Sequence, residues 1–253
     1  MSFLADPVVI ALALTGVFII AFMKGAFGGG AAGVGIPLLA LGMDPLTAGA
    51  LLAPLFVVMD AFALRYFSPS TWSMPDVGRL LPALIAGIGA GYLLLSAMNP
   101  HMIEIAIAVT TLAFAAQWYL KRARTSAGSV PLPLALIAGF ASGVTTMVAH
   151  AGGPPLAIYL LRRGLPKAVL AGTMSIVFTA GNLIKLPPWL LVSDKPQGFA
   201  LLLALCVPVI PLAVWLGWRL HNRLSEERLH AFVYLLLTAT SLKLLWDGVA
   251  GLV

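Results

Sequence analysis

Apolar residues run along this chain in long, nearly unbroken blocks separated by short polar stretches, the pattern of membrane-crossing helices. An apolar arm from Pro7 to Met23 leads into a glycine-rich stretch and then a short apolar piece from Ile36 to Gly42. Asp44-Pro45 opens a helix predicted to run to about Tyr66, close to the roughly 20 residues that cross a 30 Å hydrocarbon core. Leu80 to Met98 and Met102 to Leu120 supply two more crossings, divided by the turn Asn99-Pro100. The same order then recurs: an arm from Leu134 to Ala149, a break, a short piece from Leu156 to Leu161, and a helix opened by Pro166. Phe199 to Trp218 and Leu229 to Val249 complete the second set. This is an internal repeat, predicted as residues 1–125 and 126–253 of a single membrane domain.

Two stretches cannot continue a helix. Half of the residues in Lys24-Gly-Ala-Phe-Gly28-Gly29-Gly30-Ala-Ala-Gly33-Val-Gly35-Ile-Pro37 are glycine or proline, each costing about 1 to 3 kcal/mol in a helix interior. The second stretch is His150-Ala-Gly152-Gly153-Pro-Pro. Paired interruptions at matching places in two halves point to the binding site of a transporter.

Basic residues decide how the blocks thread. Arg65 and Arg79 lie in one loop, Lys121, Arg122 and Arg124 in the central linker, Arg162, Arg163 and Lys167 in one turn, and Arg219, Arg223 and Arg228 in the last loop. Short cytoplasmic loops concentrate Lys and Arg, and all four groups fall on one side only if each broken segment dips in and returns. The expected fold is therefore an all-α integral membrane protein of two inverted repeats. Each has a glycine-broken re-entrant helical hairpin plus three transmembrane helices. Arms of this length also fit eight full crossings.

Composition agrees and removes other classes. The chain has 253 residues, 60% hydrophobic and 9% charged, with a mean hydropathy of +1.01; soluble domains carry roughly 25% charge. The net charge of +6 is spread over short loops, so it orients the protein in the lipid bilayer and does not suggest nucleic acid. Cys206 is the single cysteine, which excludes an internal disulfide. There is no Gly-Lys-Ser/Thr after the glycines, no His-Glu-x-x-His and no Gly-x-Ser-x-Gly, so ATP hydrolysis, zinc proteolysis and serine hydrolysis have no support. No metal or cofactor is expected, and the function is expected not to be enzymatic.

The candidate chemistry gathers at the breaks. An ammonium such as Lys24 at membrane depth costs about 2.5 to 3.5 kcal/mol unless it is paired or solvated. Its functional reading is an anion contact, and its structural reading is neutralisation by Asp60. Short helices starting near Ile36 and Pro154 would aim positive ends at the same region, so the amides around Gly28, Gly29, Gly30, Gly152 and Gly153 are further candidates for an anionic substrate. His150 can exchange a proton near neutral pH or contact the anion. Asn182 and Lys185 follow on the next helix, with an interhelical hydrogen bond and a snorkelling lysine as their plainer readings. Asp60 with Arg65 is read as a gate or structural pair. Asp60, Arg65, His150 and Lys185 are thus the expected gating or coupling residues, with protons as the coupled ion. The same pattern leaves room for a homo-oligomer, and a passive anion channel or an intramembrane enzyme using His150 with Asp60 are the alternatives.

These motifs have a familial likeness. Lys24-Gly-Ala-Phe-Gly-Gly-Gly, Gly35-Ile-Pro-Leu-Leu and Asp44-Pro-Leu-Thr-Ala-Gly-Ala-Leu-Leu-Ala-Pro resemble the first half of the TauE/SafE sulfite exporter family. Gly139-Phe-Ala-Ser-Gly, His150-Ala-Gly-Gly-Pro-Pro and Gly172-Thr resemble its second repeat, with Ala151 in place of the usual third glycine. The resemblance implies secondary export of sulfite, a sulfonate or sulfoacetate-like anion across a bacterial inner membrane.

Overall fold

The computed structural model describes residues 6–28, 32–120, 130–193, 195–220, 223 and 226–252. Eleven α-helices and no strand occur among them. In order they are α1 (Pro7–Phe27), α2 (Gly35–Leu39), α3 (Pro45–Leu64), α4 (Met74–Ser96), α5 (Pro100–Leu120), α6 (Leu132–Ala149), α7 (Gly153–Arg162), α8 (Lys167–Val192), α9 (Phe199–Cys206), α10 (Val209–Leu220) and α11 (Glu226–Ala250). Eight spans among the described residues are long and apolar enough to cross a membrane, with α9 and α10 joined as one around Pro208. Large apolar side chains such as Leu93, Leu191 and Trp246 face outward, as a lipid-facing surface requires. The molecule is a multi-pass membrane protein.

Local sequence explains the helix starts. Asp6 and Asp44 each accept a backbone N–H in the first turn, from Val8 at 2.8 Å and from Thr47 at 2.9 Å, and each is followed by proline, whose missing N–H is harmless at that position. The helix ends are less ordinary. α1 runs past the expected boundary, through Lys24 and Gly25, and stops only at Gly28, which takes φ 73°. Gly25 tolerates the helix because a side-chain carbon there would strike the Val214 carbonyl of α10, so packing offsets its poor propensity. α6 stops at His150 with φ 51°, the one non-glycine residue at positive φ among the described residues, a conformation that costs about 1 to 2 kcal/mol.

After each stop the chain turns back. Gly35 packs on Ile20, Gly16 faces Leu38 and Leu39, and Gly42 meets Leu12 and Val9, so the segment containing α2 retraces α1 toward its start. In the second half Ala151 N–H donates to the Thr145 carbonyl at 3.1 Å, and the Ser142 hydroxyl donates to the Gly152 carbonyl at 2.7 Å. α7 then ends beside the first turn of α4, where Tyr159 and Arg163 bond Asp76.

Glycines set the closest helix contacts. α4 lies parallel to α6, with Gly139 on Leu80, Gly87 on Gly143 and Gly91 on Met147. α1 packs on α10 in the same manner, Gly25 against Val214 and Gly217 against Phe22 and Ala26. Small residues let membrane helices approach closely enough for dispersion to hold them. α3 crosses beside α8, and α5 beside α11, where the buried Thr111 and Ser241 hydroxyls share a hydrogen bond of 2.7 Å.

Candidate functional site

Four elements converge on one buried cluster of charge. Lys24, in the last turn of α1, places its Nζ 2.5 Å from Asp60 Oδ1 of α3. Asp60 Oδ2 accepts from the Asn182 amide of α8 at 2.6 Å. One turn further along α8, Lys185 Nζ donates to Thr146 Oγ1 at 2.9 Å and reaches the Thr146 carbonyl at 3.4 Å and His150 Nδ1 at 2.6 Å. The other ring nitrogen of His150, Nε2, lies 3.0 Å from the Gly49 carbonyl oxygen. A carbonyl can only accept, so Nε2 carries the hydrogen, and Nδ1 is left as an acceptor for Lys185.

Aromatic rings close the walls. The Phe56 ring has Lys24 Nζ 5.1 Å and Lys185 Nζ 4.9 Å from its centroid, distances at which the ring face attracts a cation. His150 stacks on Trp189 and tilts against Phe56, with 4.9 Å between centroids in both cases. None of Lys24, Phe56, Asp60, Thr146, His150, Asn182, Lys185 or Trp189 is more than 3% exposed. Charges so deeply buried persist only when paired and hydrogen-bonded. Here the two lysines, Lys24 and Lys185, face a single carboxylate, Asp60, and His150 turns the acceptor Nδ1 of its ring to Lys185.

The face of α8 that carries the cluster extends beyond it. Ser175, Asn182, Lys185 and Trp189 recur at helical spacing on one buried stripe. Among the described residues, Asp60 Oδ1 has only its ion contact with Lys24, and the Ser175 hydroxyl and the Trp189 indole N–H are buried without a hydrogen-bond partner. A buried donor left unpaired costs about 1 to 3 kcal/mol, so these groups offer donors to a polar guest.

The remaining sequence candidates divide. Gly28 caps α1 and packs against the Ala171 backbone of α8, while Gly29 and Gly30 lie outside the described residues. Gly152 and Gly153 are buried at the start of α7. The hairpin tips meet where Gly33 faces Ala151, beside a cavity of about 10 Å³ lined in part by Thr111, Phe114 and Tyr234, room for one water. Arg65 stands apart: it is an exposed residue at the end of α3, and both oxygens of Asp60 are turned to Lys24 and Asn182 instead.

Some members of these clusters carry no sequence signal of their own. Thr146, Phe56 and Trp189 sit in apolar runs, and only spacing from Lys185 and Asn182 would have singled out Trp189. A second buried carboxylate also escaped notice. Asp76, fully buried at the start of α4, accepts from Ser73 Oγ at 2.6 Å, Tyr159 OH at 2.6 Å and Arg163 Nε at 2.9 Å, and so ties the end of α7 to the loop after α3. An aspartate in a first helical turn reads as ordinary dipole compensation, which hid this role.

One step in the numbering links the parts of the central cluster. Asp60 and Asn182 are 122 positions apart, and the same step takes Lys24 to Thr146, Gly28 to His150 and Gly49 to Ala171. Lys24 with Asp60 thus corresponds to Thr146 with Asn182, and Gly28 against Ala171 corresponds to His150 against Gly49. Both capping residues have positive φ.

The family model described as sulfite exporter TauE/SafE matches residues 12–244. The chain belongs to the TauE/SafE sulfite exporter family, a family of membrane transporters. No curated protein and no solved structure matches it.

Proposed function

From this membership we infer that the protein exports a small sulfur-containing anion, such as sulfite, a sulfonate or sulfoacetate, across the inner membrane of a bacterium by alternating access. The observation that carries the reading is the buried cluster in which Lys24 and Lys185 outnumber Asp60. An anion placed between them would cancel the excess charge, and the Trp189 N–H and the amides of the hairpin tips are donors for its oxygens. Lys24, Gly28, Gly29, Gly30, His150, Gly152, Gly153 and Asn182 are the assigned binding residues, and Asp60 and Lys185 act in coupling.

Alternating access needs two halves that exchange roles. The return of each hairpin toward its own start supports two re-entrant segments, one in residues 1–125 and one in 126–253. The matched packing of α1 on α10 and of α6 on α4, with the constant step between partner residues, supports two inverted repeats. The proton-motive force across the membrane supplies the energy. The buried state of every cluster residue favours a carrier over an open pore.

The test is flux in proteoliposomes. An imposed proton-motive force should concentrate labelled sulfite or sulfoacetate against its own gradient; with the potential clamped at zero, an excess of unlabelled anion inside should still draw labelled anion in against its gradient by exchange, and Lys24→Ala should abolish both. Downhill flux without that exchange would overturn the carrier reading in favour of a channel.

A further inference from the structure

The same cluster indicates which component of the proton-motive force does the driving, an inference that rests on the transport reading above. Its ionisable groups come from each surrounding element: Lys24 from α1, Asp60 from α3, His150 from the end of α6 and Lys185 from α8. Lys24 and Asp60, in ion contact at 2.5 Å, cancel. Lys185 has no carboxylate partner among the described residues. Its Nζ faces the Thr146 hydroxyl, the Thr146 carbonyl and the bare Nδ1 of His150, with the Phe56 ring face nearby. An ammonium donates three hydrogen bonds and accepts none, which this set of acceptors matches. If the proton sat on His150 instead, the charge of the pair would be the same. Both ring nitrogens of His150 are engaged, so neither is free to carry a further proton through the cycle.

We propose that the empty site carries one net positive charge, held by Lys185 and His150 together, and that the inside-negative membrane potential drives export by drawing this charged empty site back to the cytoplasmic side. A monovalent anion such as hydrogensulfite cancels the charge, so the loaded site moves outward neutral. Voltage then acts on the empty return and not on the loaded step. Per cycle one negative charge leaves the cell. A potential of 100 mV is worth about 2.3 kcal/mol per charge, equivalent to roughly a 50-fold concentration ratio.

The experiment uses the full chain in liposomes, labelled sulfite at mildly acidic pH, where it is the monovalent hydrogensulfite, as the probe, and potassium diffusion potentials set with valinomycin. A lumen-negative potential of about 100 mV should expel sulfite until the outside-to-inside ratio approaches roughly 50. Exchange of labelled for unlabelled sulfite, which uses only loaded steps, should be unaffected by the potential. In Asp60→Asn the empty site holds two charges and the loaded site one, and exchange should become voltage-dependent. Wild-type exchange that varies with voltage would overturn the charge assignment, as would net flux indifferent to voltage. Absence of any sulfite exchange would overturn the transport reading itself, and this inference with it.

Discussion

Removing Lys24 alone leaves the Asp60 carboxylate buried, 1% exposed, with the Asn182 amide as its one hydrogen-bond partner among the described residues. Losing one partner of a buried ion pair costs about 3 to 5 kcal/mol, chiefly because the remaining charge stays out of water. Lys24→Met should therefore lower thermal stability in detergent markedly. Replacing both charges, as Lys24→Met with Asp60→Leu, removes the stranded carboxylate, and the double variant should regain most of that loss. Transport should not recover with it. A cation about 4 Å from an anion at an effective dielectric near 20 contributes about 4 kcal/mol, and the Asp60 charge just behind it repels the anion by about 2.5 kcal/mol, so the double variant should bind sulfite on the order of tenfold more weakly. Thermal unfolding followed by tryptophan fluorescence, together with sulfite binding on the same samples, reads both quantities. A double variant no more stable than Lys24→Met would refute the reasoning, because it would mean that the pair is not what Lys24 contributes to the fold.

Other positions make independent predictions. A cysteine at Gly164, in the turn after α7, should react with an impermeant maleimide only from the cytoplasmic side; labelling only from outside would contradict the re-entrant hairpin, and Cys206, fully buried, should give no background. Tyr159→Phe removes one donor to the buried Asp76 carboxylate and should cost about 1.5 to 3 kcal/mol of thermal stability while leaving sulfite binding unchanged. Gly143→Leu drives side-chain atoms into the Leu84 carbonyl and the α4 backbone, so the protein should fail to accumulate as a monodisperse species on gel filtration, whereas Gly89→Leu, with open space around it, should behave as wild type.

Membrane insertion and the two breaks were legible from hydropathy and glycine content because both are strong, local signals. Lys24, Asp60, His150, Asn182 and Lys185 stood out for a related reason: a polar group in an apolar run is conspicuous, and the structure brings these five together. What the sequence hid was packing. In a helix apolar on every side, periodicity does not say which face meets protein, so Phe56 and Trp189 looked like any lipid-facing aromatic residue although both are buried. Gly25 looked like part of the break but belongs to α1, because its lack of a side chain serves contact with α10. Arg65 was paired with Asp60 on proximity in sequence alone, yet a spacing of five residues puts the two on different sides of α3.

Equilibrium binding of labelled sulfite to the purified protein tests the central claim most directly. The account predicts one anion bound per chain, with binding lost in Lys185→Met and in Lys24→Met while both variants remain monodisperse. Binding of undiminished affinity in both variants would show that the buried cluster is structural and that the anion is held elsewhere.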